Sequence, residues 1–148
     1  MTTAPAQVRD AAELTYITGC TLSPSPDAVR QARRFTRHTL ASWGLGELAD
    51  DAELVVTELL ANAIRHAWPP AEQTPPAAAA LALWLLGDTD GLMCVVTDPS
   101  NAAPVLGQPG PSGEDGRGLQ IVHALSDHWG WSALSQQGKA VWTVLFQD

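Results

Sequence analysis

The sequence predicts an α/β (α+β) two-layer sandwich, in which about three helices cover one face of a mixed, mostly antiparallel sheet. Three observations carry this. Two long runs of helix formers lie in the first half of the chain without an internal glycine or proline break. Apolar, β-branched segments come in pairs joined by short Gly/Asp/Ser stretches, the spacing of hairpins rather than crossovers. A length of 148 residues, 45% hydrophobic and 16% charged, suffices for one core and hardly for two. Residues 1–12 read as a polar, flexible leader and residues 13–148 as the single domain.

The elements follow in order. Glu13 to Leu22 is rich in β-branched and aromatic residues and reads as a strand. Ser25 is a plausible N-cap, with Pro26 at the first helical position and Asp27 at the positive end of the helix dipole. That helix runs to about Trp43 and stops at Gly44. A second helix spans Ala49 to Ala67, with Asp50 as the candidate cap, and Trp68-Pro69-Pro70 ends it before a Pro/Ala-rich loop. Strands over 79–86 and 92–98 are joined by Gly87-Asp88-Thr89-Asp90-Gly91, a hairpin turn. Pro99 to Asp115 is long for a connection and reads as a lid or a disordered segment. Gly116-Arg117-Gly118-Leu119 then leads into a helical run, Gln120 to Leu125. Strands over 128–134 and 140–146 close the chain around the hairpin Ser135-Gln136-Gln137-Gly138-Lys139.

Charge narrows the function classes. A formal net charge of −8 argues against direct nucleic-acid binding and against an anionic membrane surface, both of which call for positive fields. No apolar run is long enough to span a bilayer, and no secretory signal pattern opens the chain, so the expected compartment is the cytoplasm. Cys20 and Cys94 sit in strand-like apolar runs and read as buried free thiols, with a disulfide the less favoured alternative in a reducing compartment. The first helix holds Arg30, Arg33, Arg34 and Arg37, half of the eight basic residues. Basic charge concentrated against the overall sign suits a docking surface for an acidic partner, as well as a plain solvated face.

The second helix carries the chemistry. Val55, Leu59 and Ala63 recur at helical spacing and mark the apolar stripe, and Glu58, Asn62 and His66 recur at i, i+4, i+8 on an adjacent face. A carboxylate one turn from a carboxamide suits a metal–phosphate site: the amide oxygen can ligate Mg²⁺ and the carboxylate can accept a proton. Two further features follow at a distance. Asp98 ends the apolar strand Met93-Cys94-Val95-Val96-Thr97, and the glycine pair Gly116 and Gly118 opens a helix after the long loop. Bare amides at a positive helix end favour an anion, and glycine lets phosphate come close.

In this order the three features resemble the N box and the two glycine boxes of the GHKL ATPase superfamily, the Bergerat nucleotide-binding fold. Within it the chain is most similar to the actinobacterial anti-sigma-factor serine/threonine kinases. The resemblance rests on the Glu-Leu-x-x-Asn-Ala-x-x-His-Ala helix, the Gly-Arg-Gly-Leu lid end and the final strand Val141-Trp142-Thr143-Val144-Leu145. It implies Glu58 as general base, Asn62 as Mg²⁺ ligand, Asp98 as acceptor for the adenine amino group and Thr143 as a hydroxyl near the adenine. Gly116 and Gly118 would meet phosphate, and His66, Arg117 and Leu119 join them as nucleotide-binding candidates through the matching motifs. The implied cofactors are ATP and Mg²⁺. The implied partners are a sigma factor and/or a STAS-domain anti-anti-sigma protein, with a homodimer formed through the first strand. The superfamily usually has Asp-x-Gly-x-Gly after the aspartate, where this chain reads Asp98-Pro99-Ser100-Asn101-Ala102. Ser100 and Ala102 resist positive φ. That departure supports the alternative expectation of a catalytically weak or inactive module that regulates by contact alone.

Overall fold

The computed structural model describes residues 16–67, 81–104, 117–135 and 137–147, with the backbone alone described for residues 66, 67 and 117–119. The expected leader, the Pro/Ala-rich loop and most of the expected lid lie outside the described residues. Among the described residues five strands form one sheet: β1 (Tyr16–Thr21), β2 (Ala82–Gly87), β3 (Gly91–Asp98), β4 (His128–Ala133) and β5 (Lys139–Phe146), in the order β1-β2-β3-β5-β4. All four pairings are antiparallel, in keeping with the mostly antiparallel sheet the sequence suggested. The helices are α1 (Pro26–Ser42), α2 (Ala49–Asn62) and α3 (Arg117–Leu125).

Helix α1 starts where the sequence places it, with Ser25 at the N-cap and Pro26 first, although the Ser25 side chain makes no capping hydrogen bond. Gly44 ends it with φ at +73°, a left-handed turn that glycine takes without strain. Helix α2 starts at Ala49 as expected but departs from expectation in its cap and at its far end. A 3₁₀ turn, Gly46–Leu48, feeds it, so Leu48 rather than Asp50 is the N-cap. At its other end the α geometry stops at Asn62, and Ala63–Ala67 form a π-helical turn. The alignment of positions 58, 62 and 66 that a regular α-helix gives therefore holds only through Asn62.

The core lies between the helices and one sheet face. On the inward rows stand Leu81, Leu83 and Leu85 of the β2 segment, Leu92, Cys94 and Val96 of β3, and Val141 and Leu145 of β5, all buried. Val55, Val56, Leu59 and Leu60 of α2 meet them, with Ala28, Ala32 and Leu40 of α1 behind. Leu60 is fully buried, so Leu60→Ala is expected to cost about 2–5 kcal/mol of unfolding free energy in a urea titration, the transfer term plus a cavity. Both thiols are free. Burial pushes Cys94 up to about 12, which makes it an inert packing residue.

The opposite face of the sheet is not covered by the described helices. Its central row runs Gly19, Trp84, Val95, Trp142, Gly130 across the five strands by register. The ring of Trp84 lies against Gly19 and that of Trp142 against Gly130, closer than any Cβ would allow. Trp129 and Trp131 point to the helix side instead, in the rows of Thr143 and Val141. The arginine stripe of α1 is largely neutralised: Arg30 pairs with Asp27, Arg33 with Glu53 at 3.5 Å, and Arg37 with Asp50 at 2.7 Å and with Glu53. These pairs tie α1 to α2 and temper the reading of that stripe as a free basic docking face.

Candidate functional site

The sheet brings the site's acidic residue to a defined place. Asp98 is the last residue of β3, and in register it faces Lys139, the first residue of β5. Asp98 is 1% exposed and Lys139 2%, and Lys139 Nζ donates to Asp98 Oδ1 at 3.0 Å. The Ser100 backbone N–H donates to the same oxygen at 2.9 Å. The second oxygen, Oδ2, is buried and has no hydrogen-bond partner among the described residues. Burial raises the Asp98 carboxyl above its ordinary value, opposed by the Ser100 N–H and by the Lys139 ammonium.

The turn that follows explains how the chain manages without the two glycines. After the Ser100 N–H closes on Asp98 Oδ1, the Ala102 N–H closes on Ser100 Oγ at 3.1 Å. These are two successive side-chain-to-backbone turns of the Asx and Ser/Thr type. No non-glycine residue among those described has a positive φ. Ser100 and Ala102 thus take up no left-handed conformation, in keeping with their resistance to positive φ.

A second layer of bonds laces this turn to the β4–β5 hairpin. Gln137 Nε2 donates to the Pro99 carbonyl at 3.1 Å, and the Gly138 N–H donates to Asn101 Oδ1 at 2.8 Å. Gly138 has φ at +94°, the left-handed region, which aims its N–H at Asn101 and starts β5 with Lys139 inward. Sequence reasoning left Lys139 in the hairpin and missed it. The available signal was a lone lysine directly before an apolar strand, with an unpaired aspartate at the end of another.

The remaining candidates sit on elements that meet these strands. Helix α2 packs on β3, on β5 and on α3. Glu58 is half-buried on α2, and Asn62, one turn on, is 9% exposed. Arg117 and Gly118 are the first two residues of α3, so the helix begins three residues earlier than the periodicity suggested and Gly118 lies in its first turn. Such an end carries amides without helical partners. Gly116, and the side chains of His66, Arg117 and Leu119, lie outside what is described. Thr143 is not brought to Asp98. It stands four residues along β5 from Lys139, opposite Cys94, and its hydroxyl bonds to Ser126 Oγ. At about 3.3 Å per residue that is roughly 13 Å along the strand, so the group beside the aspartate is an ammonium, not this hydroxyl.

The family model of the histidine kinase-like ATPase domain matches residues 22–145. The chain belongs to that family. The match runs from the residue after β1 to the penultimate residue of β5 and takes in Glu58, Asn62, Asp98 and the α3 N-terminus together. Comparison with curated proteins gives no match. As a histidine kinase-like ATPase domain, the protein is an ATP-binding regulator of the GHKL type, and its five-stranded antiparallel sheet with three helices is consistent with that fold. The orphaned Oδ2 of Asp98 fits a purine amino group, since a buried acceptor without a donor is costly until one arrives. Asn62 offers a neutral oxygen of the kind Mg²⁺ takes alongside phosphate and water. Among the described residues no helix is long and apolar enough to cross a membrane.

Proposed function

We propose that this ATPase domain is a serine/threonine protein kinase. It phosphorylates a STAS-type anti-anti-sigma partner with ATP and sequesters a sigma factor in the cytoplasm. The observation that carries the kinase reading is Glu58, a half-buried carboxylate one helical turn before Asn62 on a helix that packs on the Asp98 strand. Asp98 binds the adenine amino group, Asn62 holds Mg²⁺, and the α3 N-terminus receives phosphate oxygens. Bound Mg²⁺ supplies neutralisation of the triphosphate charge. Glu58 takes the proton of the partner's serine hydroxyl as its oxygen bonds to the γ-phosphorus; the bond to the β–γ bridging oxygen breaks and ADP leaves.

A specific observation favours a second reading, a binding module with weak or no catalysis. Asp98 Oδ1 is already engaged by Lys139, and Oδ2 has no solvent access, so a purine reaches it only if this turn moves. Calorimetry with ATP and Mg²⁺ separates the two. The kinase reading expects binding that weakens sharply in Asp98→Ala, together with label transfer from ATP to a STAS partner; binding absent in the wild type leaves contact alone.

The partner surface we infer is the seam between α1 and α2. A groove of about 300 Å³ there is lined by Arg33, Arg37, Asp50, Glu53, Leu54 and Thr57, which offers both charge signs and an exposed leucine. The homodimer would use β1, an edge strand of the sheet on which Ile17 is 66% exposed. Ile17→Lys should then shift the sedimentation profile to monomer; an unchanged dimer would place the contact elsewhere.

A further inference from the structure

Lys139 is the only lysine in the chain. A chain that can solvate its basic residues has put this one out of water completely. The burial is not a bargain for stability. Desolvating an ammonium and a carboxylate costs several kcal/mol each, and well-packed apolar pairs replace buried ion pairs at no loss or at a gain. The geometry around the pair is asymmetric in a way that packing does not require. Lys139 Nζ and the Ser100 N–H converge on Oδ1, at 3.0 and 2.9 Å, while Oδ2 has no donor among the described residues. The Gly138 and Gln137 bonds to Asn101 and Pro99 fix the hairpin that delivers the lysine.

We propose that Lys139 is a positioning residue that sets base specificity: by holding Asp98 through Oδ1 it keeps Oδ2 as a pure acceptor, so the site takes purines with a 6-amino group and rejects those with a 6-carbonyl. This rests on the nucleotide-binding reading above. An ionised carboxylate accepts hydrogen bonds and donates none. Adenine's exocyclic amino group donates to it. The 6-carbonyl of hypoxanthine or guanine has only lone pairs to offer, and meeting Oδ2 would leave two buried acceptors facing each other. Without the ammonium, burial acts on Asp98 with only the Ser100 N–H against it, which shifts the balance toward the protonated carboxyl. A protonated carboxyl can donate, so the 6-carbonyl becomes acceptable.

The test compares Mg²⁺-ADP with Mg²⁺-IDP by calorimetry on the full chain. Wild type should prefer ADP, and Lys139→Met should reduce the ADP-to-IDP affinity ratio by about 10- to 100-fold, the scale of one charge-assisted hydrogen bond. If wild type binds no ADP, the nucleotide reading fails and this inference with it. If wild type prefers ADP and a folded Lys139→Met keeps the same ratio, the inference alone is overturned and Lys139 is a structural cation. A second measurement covers a variant that does not fold. With ¹⁵N-lysine labelling the wild type gives a single side-chain amine signal, which ADP should shift; an unmoved signal at saturating ADP would equally overturn the assignment.

Discussion

Glu58→Gln is expected to lower the rate of phosphoryl transfer to a STAS partner by about 10²–10⁴-fold while leaving Mg²⁺-ATP affinity within about threefold. The reasoning is one of shape against charge. Glutamine keeps the volume, the burial and the helix propensity of Glu58 in the last two turns of α2, so the fold and the nucleotide contacts stay. It cannot take a proton from an attacking hydroxyl. The expected loss corresponds to about 2.7–5.4 kcal/mol of transition-state stabilisation. Glu58→Asp provides the complementary probe. It keeps the charge and withdraws it by one methylene, so a partial loss of turnover with unchanged ATP affinity marks a base that must reach its proton. Asn62→Ala should behave oppositely, weakening Mg²⁺-dependent nucleotide binding before it touches turnover. Rates read from labelled phosphate on the partner protein, with affinities from calorimetry, separate these cases. Full transfer by Glu58→Gln would remove the general-base role, and with it the reason to read this helix as catalytic.

How far the sequence reveals this site depends on the length scale of the physics involved. Local signals were dependable. Pro26 at a helix start, Gly44 at its end, and the Asp88 turn, whose Oδ1 accepts from the Asp90 and Gly91 N–H groups, each depend on a few neighbouring residues. The strands likewise follow from β-branched runs broken by turns. What the sequence hid were juxtapositions set by register. That Asp98 meets Lys139 across 41 positions follows only once β3 and β5 are aligned, since a slip of one residue would turn the lysine to the other face. The same alignment carries Thr143 four residues away. The π turn after Asn62 was invisible for another reason: helix periodicity continues through Ile64 in the sequence, and only tertiary packing decides that the ladder widens there. How the chain turns after Asp98 without the two glycines was hidden, because the turn is closed by side-chain oxygens whose partners the sequence pattern does not name.

Asp98→Asn should be the most destabilising single change at the site, and its repair should not restore function. An amide in place of the carboxylate leaves the Lys139 ammonium buried beside a neutral group, and breaking a buried pair from one side costs about 3–5 kcal/mol. For a domain of this size that is a drop of roughly 10–20 °C in Tm. Removing both partners is a different experiment. In Asp98→Val with Lys139→Met, neither charge is left to desolvate, and the summed volume stays within about one methylene of the native pair. Stability is expected to return to within about 1 kcal/mol of wild type or to exceed it. The two substitutions thus couple strongly, with the double variant far better than the sum of the singles. Nucleotide affinity should follow the opposite course: lost in Asp98→Asn, because the amide presents a donor and a weaker acceptor to the adenine, and still lost in the stable double variant. Denaturant titration and calorimetry on the wild type, Asp98→Asn, each apolar single variant and the double variant read both quantities. A double variant that regains stability and still binds Mg²⁺-ADP would show the adenine held elsewhere. One that stays unstable would show the pair to be needed for the β3–β5 register itself. The expected outcome, a stable fold that no longer takes nucleotide, is what distinguishes a buried charge kept for recognition from one kept for folding.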